Sequence, residues 1–376
     1  MSVFHEKLAA AGLRPPKMVT LTMTNACNLK CRHCWPDSGS VRSFPPVPTQ
    51  TLKRLVQEVA GLGAEEICLA GGEPLLHPDL YSILDHAFRQ AGIKNVTLQT
   101  NGILIDDADA NKLKRIYNKG LLIQVSLDGA GPGTHDLVRG DGSFERSLEG
   151  LRRLCKAGLG QQIQVAFTEM EHNFTDLPPL LELVDDLGLS RCVSGTLVSQ
   201  GRARESSWIA PPTPAQYEQL LQRYQSDSVF RDRYERLGNI AALEWFKGRA
   251  HASAQGCVCV ETPYIDAEGL VYPCHYMPAP AFAIEGAHER SLESIVMEAL
   301  GLWARLPGLD RRRREELTPC KTCPGKEHCA GGCSGRAYAA SGDFSSVEDR
   351  CALRKAVYGW QGKGESKGLK VEGAKV

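Results

Sequence analysis

The 376-residue sequence lacks an excess of charge of either sign, because 44 Lys and Arg residues balance 44 Asp and Glu residues. A balanced surface gives no long-range attraction for polyanions, which argues against nucleic acid or a membrane surface as the main partner. No apolar run approaches the ~20 residues that span a bilayer. No N-terminal stretch has the charged start, apolar core and cleavage site of a signal peptide. We therefore expect a cytoplasmic protein with no membrane partner.

Disulfides are rare in a reducing cytoplasm, yet the chain contains 14 cysteines. Metal ligation is the leading interpretation of so many thiols. Cys68, Cys155 and Cys192 lie in or beside apolar strand and helix patterns, so we expect them to be ordinary buried cysteines. The other eleven fall into two separate clusters.

Residues 18–204 alternate short β-rich runs with amphipathic helical patterns. The six β-rich runs cover residues 18–24, 66–70, 95–99, 121–126, 162–167 and 192–198. Buried strands that alternate with helices form parallel sheets. The sequence therefore predicts an α/β fold whose main part is a partial (β/α)6 TIM-like barrel, with its site where strands end and loops begin.

Changes in composition divide the chain further. Prolines at positions 211, 212 and 214 interrupt the strand–helix alternation, and residues 255–351 are rich in Cys, Gly and Pro with few apolar runs. Such a segment needs staples, here metals, to hold its shape. The Gly- and Lys-rich end is typical of a disordered tail. We predict an N-terminal extension (1–17), the barrel (18–210), a helical bridge (211–254), a metal-stapled domain (255–355) and a disordered tail (356–376).

The first cysteine cluster follows the first strand directly, with the spacing Cys-x3-Cys-x2-Cys at Cys27, Cys31 and Cys34. Three thiolates can hold three irons of a [4Fe–4S] cube and leave the fourth iron without a protein ligand. An open coordination position marks a catalytic metal centre rather than a structural one. Zinc bound by these cysteines together with His33 is the alternative that the spacing leaves open.

Polar motifs follow the next strands in order: a Gly-Gly-Glu motif, a Thr-Asn-Gly turn and a Ser-Leu-Asp-Gly segment. Each motif alone is an ordinary strand-end turn. Together with the cysteine loop, their order resembles the radical S-adenosylmethionine (radical SAM) superfamily, over most of the chain. The residues that carry this resemblance are Cys27, Cys31, Cys34, Gly71, Gly72, Glu73, Asn101, Ser126 and Asp128.

The resemblance implies that the open iron chelates the methionine end of S-adenosyl-L-methionine (SAM). Glu73 would accept hydrogen bonds from its ammonium group, Asn101 would form the neighbouring turn, and Ser126 and Asp128 would meet the ribose hydroxyls. Arg202 would lie near the cofactor carboxylate. The implied reaction is reductive cleavage of SAM to a 5′-deoxyadenosyl radical that abstracts a substrate hydrogen. A reductant such as flavodoxin or ferredoxin would supply the electron.

The second cluster contains eight cysteines, and its spacing resembles the SPASM domains that carry auxiliary clusters on many peptide-modifying radical enzymes. A zinc ribbon is the alternative. The resemblance implies one cluster held by Cys320, Cys323, Cys329 and Cys351. It implies a second cluster held by Cys259, Cys274 and Cys333. Cys257 is the expected fourth ligand, and the alternative is that one iron of this cluster has no protein ligand. The full expectation is three [4Fe–4S] clusters, one binding SAM and two auxiliary, and a barrel followed by a small irregular α+β iron–sulfur domain.

The residue after Cys274 bears on the substrate. Sulfatase maturases of the superfamily have an acidic base at this position, whereas this sequence has His275 followed by Tyr276. The departure argues against a sulfatase maturase. Both side chains can exchange protons, so they are the catalytic candidates, with a packing role as the alternative.

Three functions remain open. The leading hypothesis is modification of a peptide or protein side chain by cross-linking or oxidation. Because few residues precede Cys27, peptide recognition would need a separate protein or direct capture by the barrel mouth. The first alternative is a radical enzyme acting on a small molecule, such as a tetrapyrrole or other cofactor, a sugar or an alcohol. The second is a non-catalytic iron–sulfur electron-transfer protein, which Glu73 and Asp128 disfavour because a carrier needs no cofactor pocket.

Overall fold

The computed structural model describes residues 2–39, 45–116, 119–249, 257–329 and 331–361, apart from the side chains of residues 310 and 311. Of the disordered tail predicted for residues 356–376, residues 356–359 belong to the last described helix, and residues 362–376 lie outside the described residues. The strands of the described residues are β1 (Met18–Thr22), β2 (Glu66–Ala70), β3 (Asn95–Thr100), β4 (Leu121–Ser126), β5 (Ile163–Glu169), β6 (Arg191–Thr196), β7 (Gly238–Asn239), β8 (Tyr264–Ile265) and β9 (Val271–Tyr272).

These strands form one sheet in the order β7-β6-β5-β4-β3-β2-β1-β8-β9. Every neighbouring pair is parallel except β8 and β9, which are antiparallel. The six predicted strands are β1 to β6, and they lie side by side in chain order, as expected for successive strand–helix units. The predicted α/β partial barrel is confirmed.

Helices fill the connections and continue into the C-terminal region. They are α1 (Val3–Ala10), α2 (Thr49–Gly61), α3 (Leu80–Arg89), α4 (Asp107–Ile116), α5 (Pro132–Arg139), α6 (Ser143–Lys156), α7 (Leu177–Asp186), α8 (Arg202–Glu205), α9 (Pro214–Ser226), α10 (Ser228–Leu237), α11 (Ala241–Gly248), α12 (Leu292–Trp303), α13 (Leu306–Glu316), α14 (Thr318–Lys321), α15 (Lys326–Cys329), α16 (Ser334–Ser341) and α17 (Cys351–Gly359). No helix of the described residues is long and apolar enough to cross a membrane.

The core lies between the sheet and these helices. Helix α6 illustrates the packing, because Phe144, Leu148, Leu151 and Leu154 recur every three or four residues and are all buried. This spacing puts them on one helix face, and the charged residues of α6 occupy the other. The side chains of β1 to β6 alternate or are buried on both faces, as in a sheet covered by helices.

The C-terminal region is joined to the barrel by backbone and side-chain contacts. Strand β8 extends the barrel sheet by pairing with β1. On the outer side, the Arg54 guanidinium of α2 donates to the Ala287, His288 and Arg290 carbonyls. The sheet therefore crosses the boundary predicted near residue 255, and the two parts share one framework.

Candidate active site

The loop after β1 carries Cys27, Cys31 and Cys34 at the edge where the carboxyl ends of the parallel strands meet. Cys31 is buried, the other two are half-buried, and all are free thiols. Burial raises the pKa of the Cys27 thiol to about 11, and the Cys31 and Cys34 thiolates raise it further, against one backbone hydrogen bond from Leu29. Three thiolates this close are stable together only beside a cation, which an iron cluster supplies.

The cysteine side chains are not gathered around one point. Among the described residues, no three Cys, His, Asp or Glu side chains are close enough to hold a single metal ion. A [4Fe–4S] cube takes one thiolate on each iron, so its cysteines stand around the cube rather than around one ion. The ligand role of Cys27, Cys31 and Cys34 stays a prediction.

A glycine pair after β2 holds the cysteine loop by its backbone. The Gly72 N–H donates to the Thr24 carbonyl at 2.7 Å, and the Glu73 N–H donates to the Ala26 carbonyl at 2.9 Å. A Cβ atom at Gly71 would lie 2.4 Å from the Thr24 oxygen, and one at Gly72 would lie 2.1 Å from the Ala26 oxygen. Only glycine permits this approach. Both glycines therefore fix the loop, in addition to any contact with a cofactor.

Glu73 is fully buried between the cysteine loop and β3. Its carboxylate accepts hydrogen bonds from the Thr100 hydroxyl at 2.7 Å and from the Asn101 N–H at 2.8 Å. Burial raises the pKa of Glu73, and these hydrogen bonds oppose the rise. The Asn101 side chain in turn donates to Asn28 of the cysteine loop at 2.8 Å. The predicted SAM contacts of Glu73 and Asn101 stay predictions, but both residues lie beside the loop.

Asp128 lies at the centre of a buried ionic network beside the cysteines. Its carboxylate accepts from Arg139 Nε at 2.6 Å and from the Thr168 N–H at 2.7 Å, and His33 Nε2 lies 3.2 Å away. Burial raises the pKa of Asp128, but the charges of Arg139 and then His33 outweigh it and bring the pKa to about 2. Arg139 Nη1 lies 4.0 Å from the Cys31 sulfur. Asp128 therefore holds a cation against the cluster loop.

The ribose contact predicted for Asp128 and Ser126 stays a prediction. Asp128 has no exposed surface in this structure, and protein donors engage both of its carboxylate oxygens. Ser126 ends β4 and is half-buried, so it is the more accessible of the two.

Arg202, expected near the cofactor carboxylate, holds the cysteine loop. Its three guanidinium nitrogens donate to the Cys31 carbonyl at 2.9 Å, to the Ser38 carbonyl at 2.9 Å and to the Asp37 carboxylate at 2.5 Å. Its backbone N–H also donates to the Cys34 carbonyl. A planar guanidinium suits this three-way contact. The predicted contact with the cofactor remains a prediction.

We expect Arg202→Ala to loosen the loop by at least about 2 kcal/mol, because it removes three charged hydrogen bonds and even one of them contributes about 1.5–3 kcal/mol. The reconstituted variant should lose iron to a chelator several-fold faster than the wild type. Arg204→Ala is the matched control, because Arg204 donates to the Ala339 carbonyl rather than to the loop. Equal rates of iron loss in wild type and Arg202→Ala would contradict this role.

One cysteine set of the C-terminal region lines a single pocket. Cys320, Cys323, Cys329 and Cys351 all line it, together with Arg354. Burial raises the pKa of the Cys329 thiol to about 11, although the Arg354 cation lowers it. These are the four residues that the resemblance to SPASM domains assigned to one auxiliary cluster, and the assignment stays a prediction.

The structure also brings together most of the other auxiliary set. Burial raises the pKa of the Cys274 thiol, and the nearby Cys333 and Cys257 thiolates raise it further. Cys257, whose ligand role the sequence left open, thus lies close to Cys274 and Cys333, its expected partners. Cys259 is buried two residues farther along the chain. Cys68 and Cys192 are buried in the barrel, as expected for cysteines without a ligand role.

His275 and Tyr276 lie beside this second set. Burial lowers the pKa of His275 to about 4, and its ring centroid is 3.9 Å from that of Tyr276. The Arg336 guanidinium lies 5.9 Å from the Tyr276 ring centroid, and burial raises the pKa of this tyrosine. Their predicted catalytic role stays a prediction.

Sequence reasoning missed Arg139 and a group of buried C-terminal charges. Arg336 donates to the carbonyls at the end of β6, and Arg350 donates to the Thr196 hydroxyl at 3.1 Å. Glu348 accepts from the Cys333 N–H at 3.0 Å. For Arg139 a signal existed, because His135 and Arg139 are four residues apart on α5 and share a helix face. The C-terminal charges carry no comparable sequence signal.

Comparisons with known proteins identify the family of the chain. The model of the Radical SAM superfamily matches residues 21–172. The AdoMet-dependent heme synthase of Methanosarcina barkeri is 32% identical, over 90% of this chain and 97% of the relative. The mycofactocin maturase MftC of Mycobacterium ulcerans is 31% identical, over 86% of this chain and 84% of the relative.

The structure of native anSMEcpe with bound AdoMet matches with a TM-score of 0.71 at 17% identity, over 91% of this chain and 96% of that one, which shows the shared fold. The resemblance inferred from the strand-end motifs is thereby confirmed. The chain belongs to the radical SAM superfamily.

Proposed function

We propose that this radical SAM enzyme modifies a peptide or protein side chain by cross-linking or oxidation. The observation that carries the proposal is an exposed apolar rim beside the cysteine loop. Trp208 and Leu137 are 40% and 52% exposed. The Arg32 guanidinium lies 5.6 Å from the Trp208 ring centroid, and the Arg32 N–H donates to the Val138 carbonyl. Exposed Trp and Arg side chains are the groups that most often anchor protein partners.

The proposal includes three [4Fe–4S] clusters. Cys27, Cys31 and Cys34 would hold the one that binds SAM, and when bound it supplies the electron that cleaves the cofactor. Two auxiliary clusters would occupy the pocket of Cys320, Cys323, Cys329 and Cys351 and the site of Cys257, Cys259, Cys274 and Cys333. Support comes from the shared pocket and from the proximity of Cys257, Cys274 and Cys333. A separate reductant such as flavodoxin or ferredoxin would provide the electron.

A tetrapyrrole is the second candidate substrate. The heme synthase of Methanosarcina barkeri aligns over 97% of its own length, whereas the mycofactocin maturase aligns over 84%. This similarity over nearly the whole length favours a small-molecule substrate of the same kind. Both candidates share the cleavage of SAM and differ in what the radical attacks.

The test is anaerobic turnover of the reconstituted enzyme with SAM and a reductant. Peptides encoded beside the gene and a panel of carboxylated tetrapyrroles would be followed by mass spectrometry. Under the peptide proposal, a peptide loses hydrogen and 5′-deoxyadenosine forms in proportion. Turnover of a tetrapyrrole alone would instead establish the second candidate.

We further expect Trp208→Ala to raise KM for the peptide about tenfold, since truncating an interface anchor costs on the order of 1–2 kcal/mol. Val229→Ala is the control, because Val229 is 66% exposed on α10 and has no contact with the cysteine loop. Unchanged peptide KM in Trp208→Ala would remove the rim from the proposal.

A further inference from the structure

Three aromatic side chains lie in series between the two cysteine clusters. Trp35 directly follows Cys34, and its ring centroid is 5.6 Å from that of Tyr264, at an interplanar angle of 62°. Tyr264 stacks on Tyr272 with centroids 5.7 Å apart and planes at 22°. Tyr272 precedes Cys274 by two residues. The series thus begins beside a ligand of the SAM cluster and ends beside a ligand expected for an auxiliary cluster.

The sheet fixes this arrangement. Strand β8 pairs with β1 through Thr20 and Tyr264, and β9 places Tyr272 directly opposite Tyr264. Hydrogen bonds set both phenols, because the Thr22 hydroxyl donates to the Tyr264 oxygen at 3.1 Å and the Tyr272 hydroxyl donates to Asp266 at 3.2 Å. Directly opposite rings are a normal cross-strand pair, but the pair lies on the short strands that join the barrel to the cysteine-rich region.

Both tyrosines are shielded from solvent. Tyr264 is 7% exposed and Tyr272 is 6% exposed. The strand that leads from Tyr272 to Cys274 is held by the Val260 N–H, which donates to the Pro273 carbonyl at 2.8 Å. Ring separations of 4.5–7 Å are the normal contact range for aromatic pairs, so Tyr264 is in direct ring contact with both Trp35 and Tyr272.

We propose that Trp35, Tyr264 and Tyr272 form an electron relay between the SAM cluster and the auxiliary cluster that contains Cys274. The inference rests on the proposed function, because it requires that auxiliary cluster. One electron leaves the reduced auxiliary cluster, which is oxidised, and arrives at the oxidised SAM cluster, which is reduced. No bond forms or breaks, and no proton moves. The π systems of the three rings provide the coupling between the two sites.

The test follows cluster oxidation in reconstituted enzyme that has been fully reduced and then freed of reductant. SAM is added, samples are frozen at intervals, and electron paramagnetic resonance measures the reduced auxiliary clusters. In the wild type, the signal of the reduced auxiliary clusters should decay after the first cleavage of SAM has oxidised the SAM cluster. In Tyr264→Leu, which keeps apolar volume but removes the ring, the decay should slow at least about tenfold, a change of about 1.4 kcal/mol in its barrier.

Two controls separate the relay from packing. Tyr264→Phe keeps the ring and should decay at the wild-type rate. Phe282→Leu removes a buried ring that contacts Tyr338 and Phe344 outside the series, and it should also match the wild type. The first round of SAM cleavage, which uses the electron already on the SAM cluster, should be unchanged in all variants.

The relay would be overturned if the auxiliary-cluster signal of Tyr264→Leu decayed at the wild-type rate, or if Phe282→Leu slowed the decay equally. A reduced auxiliary signal that persists in the wild type would overturn it as well. Absence of the auxiliary clusters is distinguishable, because iron analysis would then show fewer than about twelve irons before any SAM is added, and failure of the peptide proposal appears separately as turnover of a tetrapyrrole alone.

Discussion

Replacement of Cys27, Cys31 and Cys34 by alanine should abolish SAM cleavage while leaving most of the iron in place. These cysteines stand on one loop, and no other cysteine lies in a motif at this end of the barrel. Under the proposed assignment, their removal takes away every protein ligand of one cube and leaves the ligands of the two auxiliary cubes in place. We expect about twelve irons in the wild type and about eight in the variant, and no 5′-deoxyadenosine from the variant.

The measurement is anaerobic reconstitution with iron and sulfide, followed by iron counting and product analysis. Cys155→Ala is the matched control, because Cys155 is a half-buried thiol on α6 that donates to the Leu187 carbonyl and belongs to neither cluster. It should keep both the iron and the activity. Bound zinc in place of iron, or cleavage by the triple variant, would contradict the assignment.

The sequence predicted the barrel well because its signals are local. Each of the runs that became β1 to β6 is an apolar segment bounded by turn residues, and the pattern repeats six times. Strand β8 was not predicted, because two residues carry no periodicity. Its place is decided by pairing with β1 some 240 positions earlier in the chain, and this pairing brings Tyr264 to the cysteine loop.

The site shows the same division between local and non-local information. The resemblance to SPASM domains grouped Cys320, Cys323, Cys329 and Cys351, and these four residues line one pocket. Spacing could not reveal that Arg202 would donate to the loop carbonyls, because that contact joins residues more than 160 positions apart. A motif identifies the residue types at a site, whereas the partners of each side chain depend on tertiary packing.

Asp128 is the clearest case. Its segment was identified by the turn that follows β4, and the expected role was contact with a ligand. The structure surrounds the carboxylate with donors from the cysteine loop, from α5 and from β5, and the ligand contact stays a prediction. A buried cation beside Cys31 needs an anion to compensate it. Asp128 provides that charge, so its replacement affects both folding stability and the cluster.

We therefore expect Asp128→Asn to lower the free energy of unfolding at neutral pH by about 3–5 kcal/mol, as for other broken buried ion pairs. Asn keeps the size of the side chain but leaves Arg139 without its anion. Asp85→Asn is the matched control. Asp85 also pairs with an arginine, but this pair lies on the exposed face of α3. Exposed pairs contribute at most about 1 kcal/mol. Urea unfolding of wild type and both variants measures the difference.

The same charge makes the effect depend on pH. The pKa of Asp128 falls from its ordinary value of 3.8 to about 2 in the folded chain, so the unfolded chain takes up the proton first as the solution is acidified. The stabilising contribution is therefore fully present above about pH 4 and is lost as pH falls toward 2, a change of about 2 kcal/mol. The stability gap between wild type and Asp128→Asn should narrow over this range. A gap that stays constant from pH 7 to the acid limit would show that the lost stability comes from packing rather than from charge.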